Sequence, residues 1–391
     1  MRALVAQWLA RPRVAICHNA RCPMVRIHSV DSVQAIGVSS LRAGASNSNV
    51  ALETLIATRN KSTLPASSPN ITCLHKKEIA MFTYVTRKIA DKFYAKSMAT
   101  QRCYAERMQY EYIVVEDTDP QNRAVCNMNP IYFRKHCAVR ATLLARPDLR
   151  YLFVLDADTG VCNPDHCLEH WIDDPTVDLQ FHERFFLWEP SAGNYVVKNT
   201  EYSRDFLEKW AAYHMKLPSD GFTSWDNGAL LTLLLERVFP DKLEYAEQCR
   251  GIWRLPGKYY TYVFCADRYL RQRMRSQHIR LIKRAHSWVM DRHILEDHWS
   301  VYNFFNHGWK TEQIEDGAKW ALSRVPEGDE CDPFARAPWP LRPTLKLDER
   351  AMRKLLSRME LNRQAMLGIS IQPDIRLCWP RCESNSSTVL F

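Results

Sequence analysis

Residues 151–155 (Tyr151, Leu152, Phe153, Val154, Leu155) form an unbroken apolar run that ends in two carboxylates one residue apart, Asp156 and Asp158. A run of that length suits a strand buried on both faces, in the middle of a parallel sheet. Such sheets bind ligands just beyond the carboxyl ends of their strands, where both aspartates would stand. Gly160 and Asn163-Pro164 mark a tight turn after them. Two carboxylates this close repel one another at a low-dielectric edge, and a bound divalent cation relieves that. Mg²⁺ or Mn²⁺ takes one or two carboxylates and completes its shell with water and substrate phosphate. The plainer alternative is a solvated acidic loop, because an isolated Asp-x-Asp is a weak motif.

The elements needed to hold that pair can be read in order. Residues 79–85 and 111–115 predict two strands, the second ending in Glu116 and Asp117. Between them, a helix over 91–109 carries Tyr94, Met98, Ala105 and Met108 on one face, giving a β-α-β unit of the usual size. Asn129 and Pro130 read as the N-cap and first residue of another helix that runs to Arg146, ahead of Pro147. Its apolar face is Phe133, Cys137, Ala141 and Leu144, and its other side carries Arg134, Lys135 and Arg140. After the acidic turn, 177–181 and 194–198 read as strands. Residues 200–215 read as an amphipathic helix with Tyr202, Phe206, Leu207, Trp210 and Tyr213 inward. Asp226 reads as the cap of a helix from Asn227 to Val238. The aromatic-rich region 251–310 suggests strands over 259–265 and 279–282, and 346–366 suggests a charged helix. This alternation predicts an α/β fold, with a mostly parallel central sheet flanked by helices.

The 391 residues divide by composition. Residues 1–75 are rich in Ser, Ala and Asn without an apolar period, and read as a disordered leader and linker. Residues 76–312 read as a single catalytic domain, and 313–391 as a partly helical extension ending in a flexible tail. Apolar content of 46% and charged content of 25% are those of a globular protein. The net charge of +9 favours anionic partners. No long Lys/Arg run with interleaved aromatics accompanies it, which argues against nucleic acid and for small phosphorylated substrates or acidic surfaces. Thirteen cysteines include no CxxC pair, and the odd count leaves at least one thiol free if the others pair. With the sequons at Asn60, Asn70 and Asn385, they fit a secretory lumen. No apolar run approaches the ~20 residues of a membrane span. Residues 3–10 make a poor signal core, broken by Arg11, Pro12 and Arg13. Membrane association is therefore compatible with the chain, but no spanning segment is seen.

Four pieces in order carry a resemblance. The first runs from Phe133, Arg134, Lys135 and His136 to Leu155, Asp156, Ala157 and Asp158. The second is residues 192–200 followed by 206–211. The third is Trp225, Asp226, Asn227 and Gly228. The fourth is 283–288 with His286, and then His307, Gly308, Trp309 and Lys310. Over roughly 78–310 the chain resembles the nucleotide-diphospho-sugar glycosyltransferases of the GT-A type. Within them it looks most like a nematode-expanded domain family of poorly assigned function, itself similar to the retaining galactosyl- and xylosyltransferases.

The resemblance implies a Rossmann-related GT-A-like domain, a nucleotide-diphosphate sugar as donor, a glycan or glycoprotein as acceptor, and the Golgi lumen as compartment. It implies Mn²⁺ (or Mg²⁺) held by Asp156 and Asp158 through the donor diphosphate. His307 matches the histidine that completes the metal site, with His286 as the alternative. Lys310 would meet the leaving diphosphate, where a cation and a lysine stabilise developing negative charge. Lys135, Asp156, Ala157, Trp225, Gly308 and Lys310 are the expected donor-binding set, with Gly308 letting backbone approach a phosphate closely. Asp226 would hold a sugar hydroxyl, and Asn194 would line the donor pocket. Asp226, Asn194 and Lys310 are the catalytic candidates. Each has a plainer reading. Asp226 as a mere N-cap contributes about 1 kcal/mol, His307 packs against Trp309, and Lys310 is a solvated surface lysine.

Other classes fit less well. A haloacid-dehalogenase-type phosphatase also places Asp-x-Asp after an apolar strand, but wants Thr or Val where Gly160 stands. An EF-hand would need Gly at position 161 and Glu at 167, which are Val161 and Cys167. A zinc site from Cys162, His166, Cys167 and His170 has no standard pairing. A non-catalytic relative that keeps the fold and binds a sugar or nucleotide is the main alternative.

Overall fold

The computed structural model describes residues 76–185, 188–314 and 320–367, together with 375, 379 and 380. The leader expected over 1–75, the three sequons and most of the tail past 367 lie outside the described residues. All described residues belong to one compact unit, Thr63–Phe391. Among them, no helix is long and apolar enough to cross a membrane.

Six strands form the central sheet: β1 (Ile79–Val85), β2 (Glu111–Glu116), β3 (Tyr151–Val154), β5 (Leu179–His182), β6 (Tyr195–Lys198) and β7 (Ile279–Ile282), in the order β2-β1-β3-β6-β5-β7. The pairs β1/β2, β1/β3 and β5/β7 are parallel, while β6 runs antiparallel to both β3 and β5. The sheet is therefore mixed, which corrects the mostly parallel expectation. The connection is the reason: no helix lies between β5 and β6 among the described residues, and a parallel return is usually carried by one. A smaller sheet, β4-β9-β8, is built from β4 (Thr159–Val161), β8 (Val289–Asp291) and β9 (Phe305–His307).

β3 is an interior strand buried on both faces, and two cores follow from its period of two. Leu152 and Val154 face one core, with Ala80 and Phe82 of β1. That core is covered by α2 (Ile131–Ala145), α3 (Glu201–Ala212), α4 (Trp225–Val238), α5 (Leu243–Trp253) and α6 (Tyr259–Leu270). Tyr151, Phe153 and Leu155 face the other core, with Ile79 and Met81. There they meet α1 (Ala95–Met108), the small sheet, and Trp320, Leu322 and Trp339 from beyond residue 312. That later stretch is stitched to α1 by the Cys103–Cys331 disulfide and by Arg107, which donates to the carbonyls of Glu330 and Ala337. Two more disulfides, Cys126–Cys137 and Cys249–Cys265, brace α2 and join α5 to α6. Cys162 is the free cysteine among the described residues, and Cys167 is disulfide-bonded, so the zinc alternative has lost a ligand.

Three local expectations are corrected. Residues 259–265 are helical: Tyr259, Tyr262, Val263, Ala266 and Leu270 are buried at helical spacing, which overrides the strand preference of Tyr, Val and Phe. Gly160 sits within β4 rather than in the turn, and a Cβ there would lie 2.0 Å from the Trp309 ring. Finally, α2 is rotated from the expected face. It buries Phe133, Ala138, Val139 and Leu143 together with Arg134, Lys135 and His136, and leaves Leu144 54% exposed. The charged helix expected over 346–366 is α7 (Glu349–Leu367).

Candidate active site

Asp156 lies two residues beyond β3, at the carboxyl end of the sheet, and Asp158 immediately precedes β4. The turn between them is held from three sides. The Asn194 side-chain oxygen accepts from the Asp156 amide (3.2 Å) and the Thr159 hydroxyl (2.8 Å). The Gln101 amide donates to the carbonyls of Asp156 and Thr159, and the Ser97 hydroxyl donates to the Ala157 carbonyl. Asn194 thus positions the acidic turn from just before β6. Ala157 is buried and contributes backbone.

Pairing in the small sheet delivers the histidine. Antiparallel register sets Thr159 opposite His307, and parallel register sets Asp291 beside His307. His307 Nε2 lies 3.3 Å from Asp158 and 3.6 Å from Asp156, while its Nδ1 lies 3.0 Å from Asp291 Oδ1. One ligand atom from each of Asp156, Asp158 and His307 falls within 4.8 Å of the others, the one such cluster among the described residues. Two carboxylates and an imidazole form a donor set that Mn²⁺ or Mg²⁺ accepts. A carboxylate behind the imidazole, as Asp291 is here, fixes the tautomer that turns Nε2 towards a metal. The residues present therefore fit the implied cation. His286 lines a separate cavity with Asp165, His166, His170 and Trp171, which neither Asp156 nor Asp158 lines.

Opposite charges hold one another ionised across the cluster. Burial opposes ionisation of Asp156, but Lys135 and His307 hold it well below the usual carboxylate range. Burial likewise opposes ionisation of Asp291, which Arg184 and His307 outweigh. For His307 the burial cost is overcome by Asp158, Asp156 and Asp291, and its pKa rises well above the ordinary value.

Lys135 reaches from α2 to Asp156 Oδ1 (3.1 Å) and Asp226 Oδ2 (3.7 Å). Its ammonium is kept by these carboxylates against burial. Asp226 is not the cap of α4. The N-cap is Ser224, which makes no side-chain capping bond, and Asp226 lies buried in the first turn. Its Oδ2 also accepts from His136 Nε2 at 3.1 Å. Trp225 is 41% exposed, stacks on Tyr132 with centroids 6.1 Å apart, and has a left-handed φ of 49°. Such strain in a bulky residue is tolerated mainly where the surroundings enforce it.

Gly308 needs its φ of +95°, and its amide donates to the Asp158 carbonyl, as does that of Trp309. That amide is thus engaged with the acidic turn rather than turned to a phosphate. Lys310 follows on the same loop and is half-buried.

Sequence reasoning assigned no role to Asp291, nor to His136, Gly193 and Tyr195, which stood only within the pieces that carry the resemblance. Asp291 had a usable signal: an apolar strand, Val289-Met290, ending in a carboxylate as β3 does. Nothing local to Gly193 shows its role, which is spatial: a Cβ there would come within 2.0 Å of Asp156 Oδ2.

The chain belongs to a family described as protein of unknown function, DUF273, whose model matches residues 101–323. No curated protein matches the chain. Among solved structures it is similar to a glycosyltransferase involved in the glycosylation of the major capsid of PBCV-1. The identity there is 14% and the TM-score 0.36, covering 59% of this chain and 92% of that one.

Proposed function

We propose that this chain is a metal-dependent glycosyltransferase, moving a hexosyl or pentosyl group from a nucleotide-diphosphate sugar to an acceptor hydroxyl on a glycan or glycoprotein. The observation that carries this reading is the convergence of Asp156, Asp158 and His307 at the carboxyl end of the sheet, with Asp291 behind the histidine. Mn²⁺ or Mg²⁺ held by those three residues would balance the negative charge of a departing diphosphate. Lys135 keeps Asp156 ionised and ties it to Asp226, which is the group suited to meet a sugar hydroxyl. Lys310, three residues beyond His307, supplies a further positive charge for the diphosphate, and Trp225 a face for a ring. The described disulfides support an oxidising compartment, such as the Golgi lumen.

The phosphatase reading is disfavoured by space. The position that would carry Thr or Val is Gly160, and the Trp309 ring occupies the volume of a side chain there.

The test is a thermal-shift screen of UDP- and GDP-sugars with and without Mn²⁺, followed by hydrolysis of any that bind. A ligand that binds only the folded state raises its melting temperature by mass action. Stabilisation should require the metal and be lost in Asp158→Asn. Unchanged metal dependence in that variant would refute the site. Binding without turnover would identify a non-catalytic relative.

A further inference from the structure

His136 is fully buried in α2, next to Lys135, and is not part of the metal cluster. Its Nδ1 lies 3.1 Å from the Tyr195 hydroxyl and its Nε2 lies 3.1 Å from Asp226 Oδ2. The ring is clamped flat on Trp210, with centroids 3.4 Å apart and planes at 13°. Trp210 in turn donates from Nε1 to the Asp226 carbonyl. The imidazole therefore has no freedom to turn, and both nitrogens face one partner each.

The chemistry of those partners fixes the proton. A phenol buried beside Asp226 and Asp156 stays protonated, since burial first and those charges second push its pKa up. Burial brings His136 down to about 4, so the ring is neutral at pH 7 and carries a single N–H. An ionised carboxylate only accepts. The one consistent assignment is Tyr195 O–H donating to Nδ1 and Nε2–H donating to Asp226.

Asp226 is left asymmetric. Oδ2 receives His136 and lies 3.7 Å from Lys135. Oδ1 makes no hydrogen bond among the described residues and is not sealed from solvent. A carboxylate anchored through one oxygen presents the other in a fixed direction. Backbone adds to that direction, because Asp226 follows two successive left-handed residues, Ser224 and Trp225.

We propose that Tyr195 and His136 are positioning residues, a hydrogen-bond relay that aims Asp226 Oδ1 at one hydroxyl of the sugar substrate. The proposal rests on the reading of Asp226 as the group that meets a sugar hydroxyl. It adds what holds that group in place and which oxygen is presented. The relay also explains a buried histidine beside a buried lysine: Lys135 bridges Asp226 and Asp156, and His136 sets the orientation of the first.

Two measurements on the full chain test it. The first needs no substrate. In ¹⁵N-histidine-labelled protein at pH 7, with His136→Phe to identify the signal, His136 should be the Nε2–H tautomer. Tyr195→Phe should keep that tautomer, since Asp226 still accepts from Nε2, and should shift the Nδ1 resonance as its hydrogen bond is lost. An Nδ1–H tautomer or an imidazolium signal overturns the relay. The second is hydrolysis, with Mn²⁺, of a nucleotide sugar that the wild type cleaves. His136→Phe keeps the ring on Trp210 and removes both hydrogen bonds. Displacing a substrate-contacting group by about 1 Å costs on the order of 10²-fold, so kcat should fall by roughly that factor while the Mn²⁺ midpoint stays put. His136→Gln, which restores a donor and an acceptor, should recover part of the loss. In an Asp226→Ala background the same His136→Phe change should cost less than about threefold, since coupled residues are non-additive. A full, additive loss there overturns the positioning role. If no nucleotide sugar is cleaved but the tautomer is as stated, the relay stands and the transferase reading falls.

Discussion

Gly193→Ala isolates the geometry of the acidic turn. Gly193 lies outside the left-handed region, so alanine is acceptable to the backbone. The new Cβ would stand 2.0 Å from Asp156 Oδ2 and 2.7 Å from Cγ. Ordinary contact begins near 3.4 Å, so that oxygen must retreat by about 1.4 Å. It has nowhere neutral to go. The opposite oxygen bonds Lys135 at 3.1 Å, and the backbone below is pinned by Asn194. The retreat therefore either breaks the Lys135 bond or pulls Asp156 out of the cluster with Asp158 and His307. A displacement of about 1 Å at a reacting centre costs on the order of 10²-fold. Mn²⁺ titration of the melting temperature in the presence of UDP reads this directly. The Mn²⁺ midpoint should rise by roughly 10- to 100-fold, close to Asp156→Asn, while the metal-free protein melts within a few degrees of wild type. A Gly193→Ala protein with the wild-type Mn²⁺ midpoint would show that the carboxylate has room to move without consequence, and the argument from space would fail.

Asp291→Asn keeps the shape but removes the charge behind His307, and should weaken Mn²⁺ about 10- to 100-fold. An unchanged affinity by calorimetry would mean that Asp291 is only structural. Arg284 is fully buried, bonding Glu183 at 3.0 Å and Glu360 of α7. Arg284→Met leaves both carboxylates short of their shared cation and should cost about 3–5 kcal/mol in urea unfolding, whereas a loss under about 1 kcal/mol would refute the network. Burial raises the Glu189 carboxyl from 4.5 to about 7, so between those pH values the folded state keeps a proton that the unfolded chain has lost. Its contribution to stability therefore falls as pH rises through that window. Glu189→Gln should gain on wild type between pH 5 and pH 8, by a few kcal/mol at most, and a stability difference flat with pH would contradict the assignment.

The parts of the fold legible in the sequence are those set by local periodicity. β3 was readable because its apolar run has one plausible use, and Leu152/Val154 against Tyr151/Phe153 divides it between two cores. The helix over Glu201–Ala212 was readable for the same reason. Strand direction is not local, yet the reversal of β6 was implicit in the predicted elements, which place no helix between 181 and 194 to carry a parallel return. Residues 259–265 were misread because Tyr259, Tyr262 and Val263 favour strands singly, while their spacing with Ala266 and Leu270 is a helix signal.

The site was half legible, and the missing half has a common cause. Asp156, Asp158 and His307 are polar residues at strand ends, where polarity is expected, and their partnership is what the resemblance implies rather than what local pattern shows. Arg134, Lys135 and His136 are polar residues in a helix, and the rule that sorts helix faces by polarity sends them to solvent. They are buried instead, each against a carboxylate. Arg134 pairs with Asp117 after β2, Lys135 with Asp156 after β3, and His136 with Asp226 in the first turn of α4. A buried cation without such a partner would be expelled or neutralised. The buried cations Arg134 and Lys135 therefore require carboxylates against α2, and the neutral His136 ring requires an acceptor, which Asp226 provides. A periodicity argument cannot see these partners, because they belong to the tertiary fold. Once α2 is known to turn this face inward, Arg134, Lys135 and His136 mark the site as clearly as the Asp-x-Asp pair does.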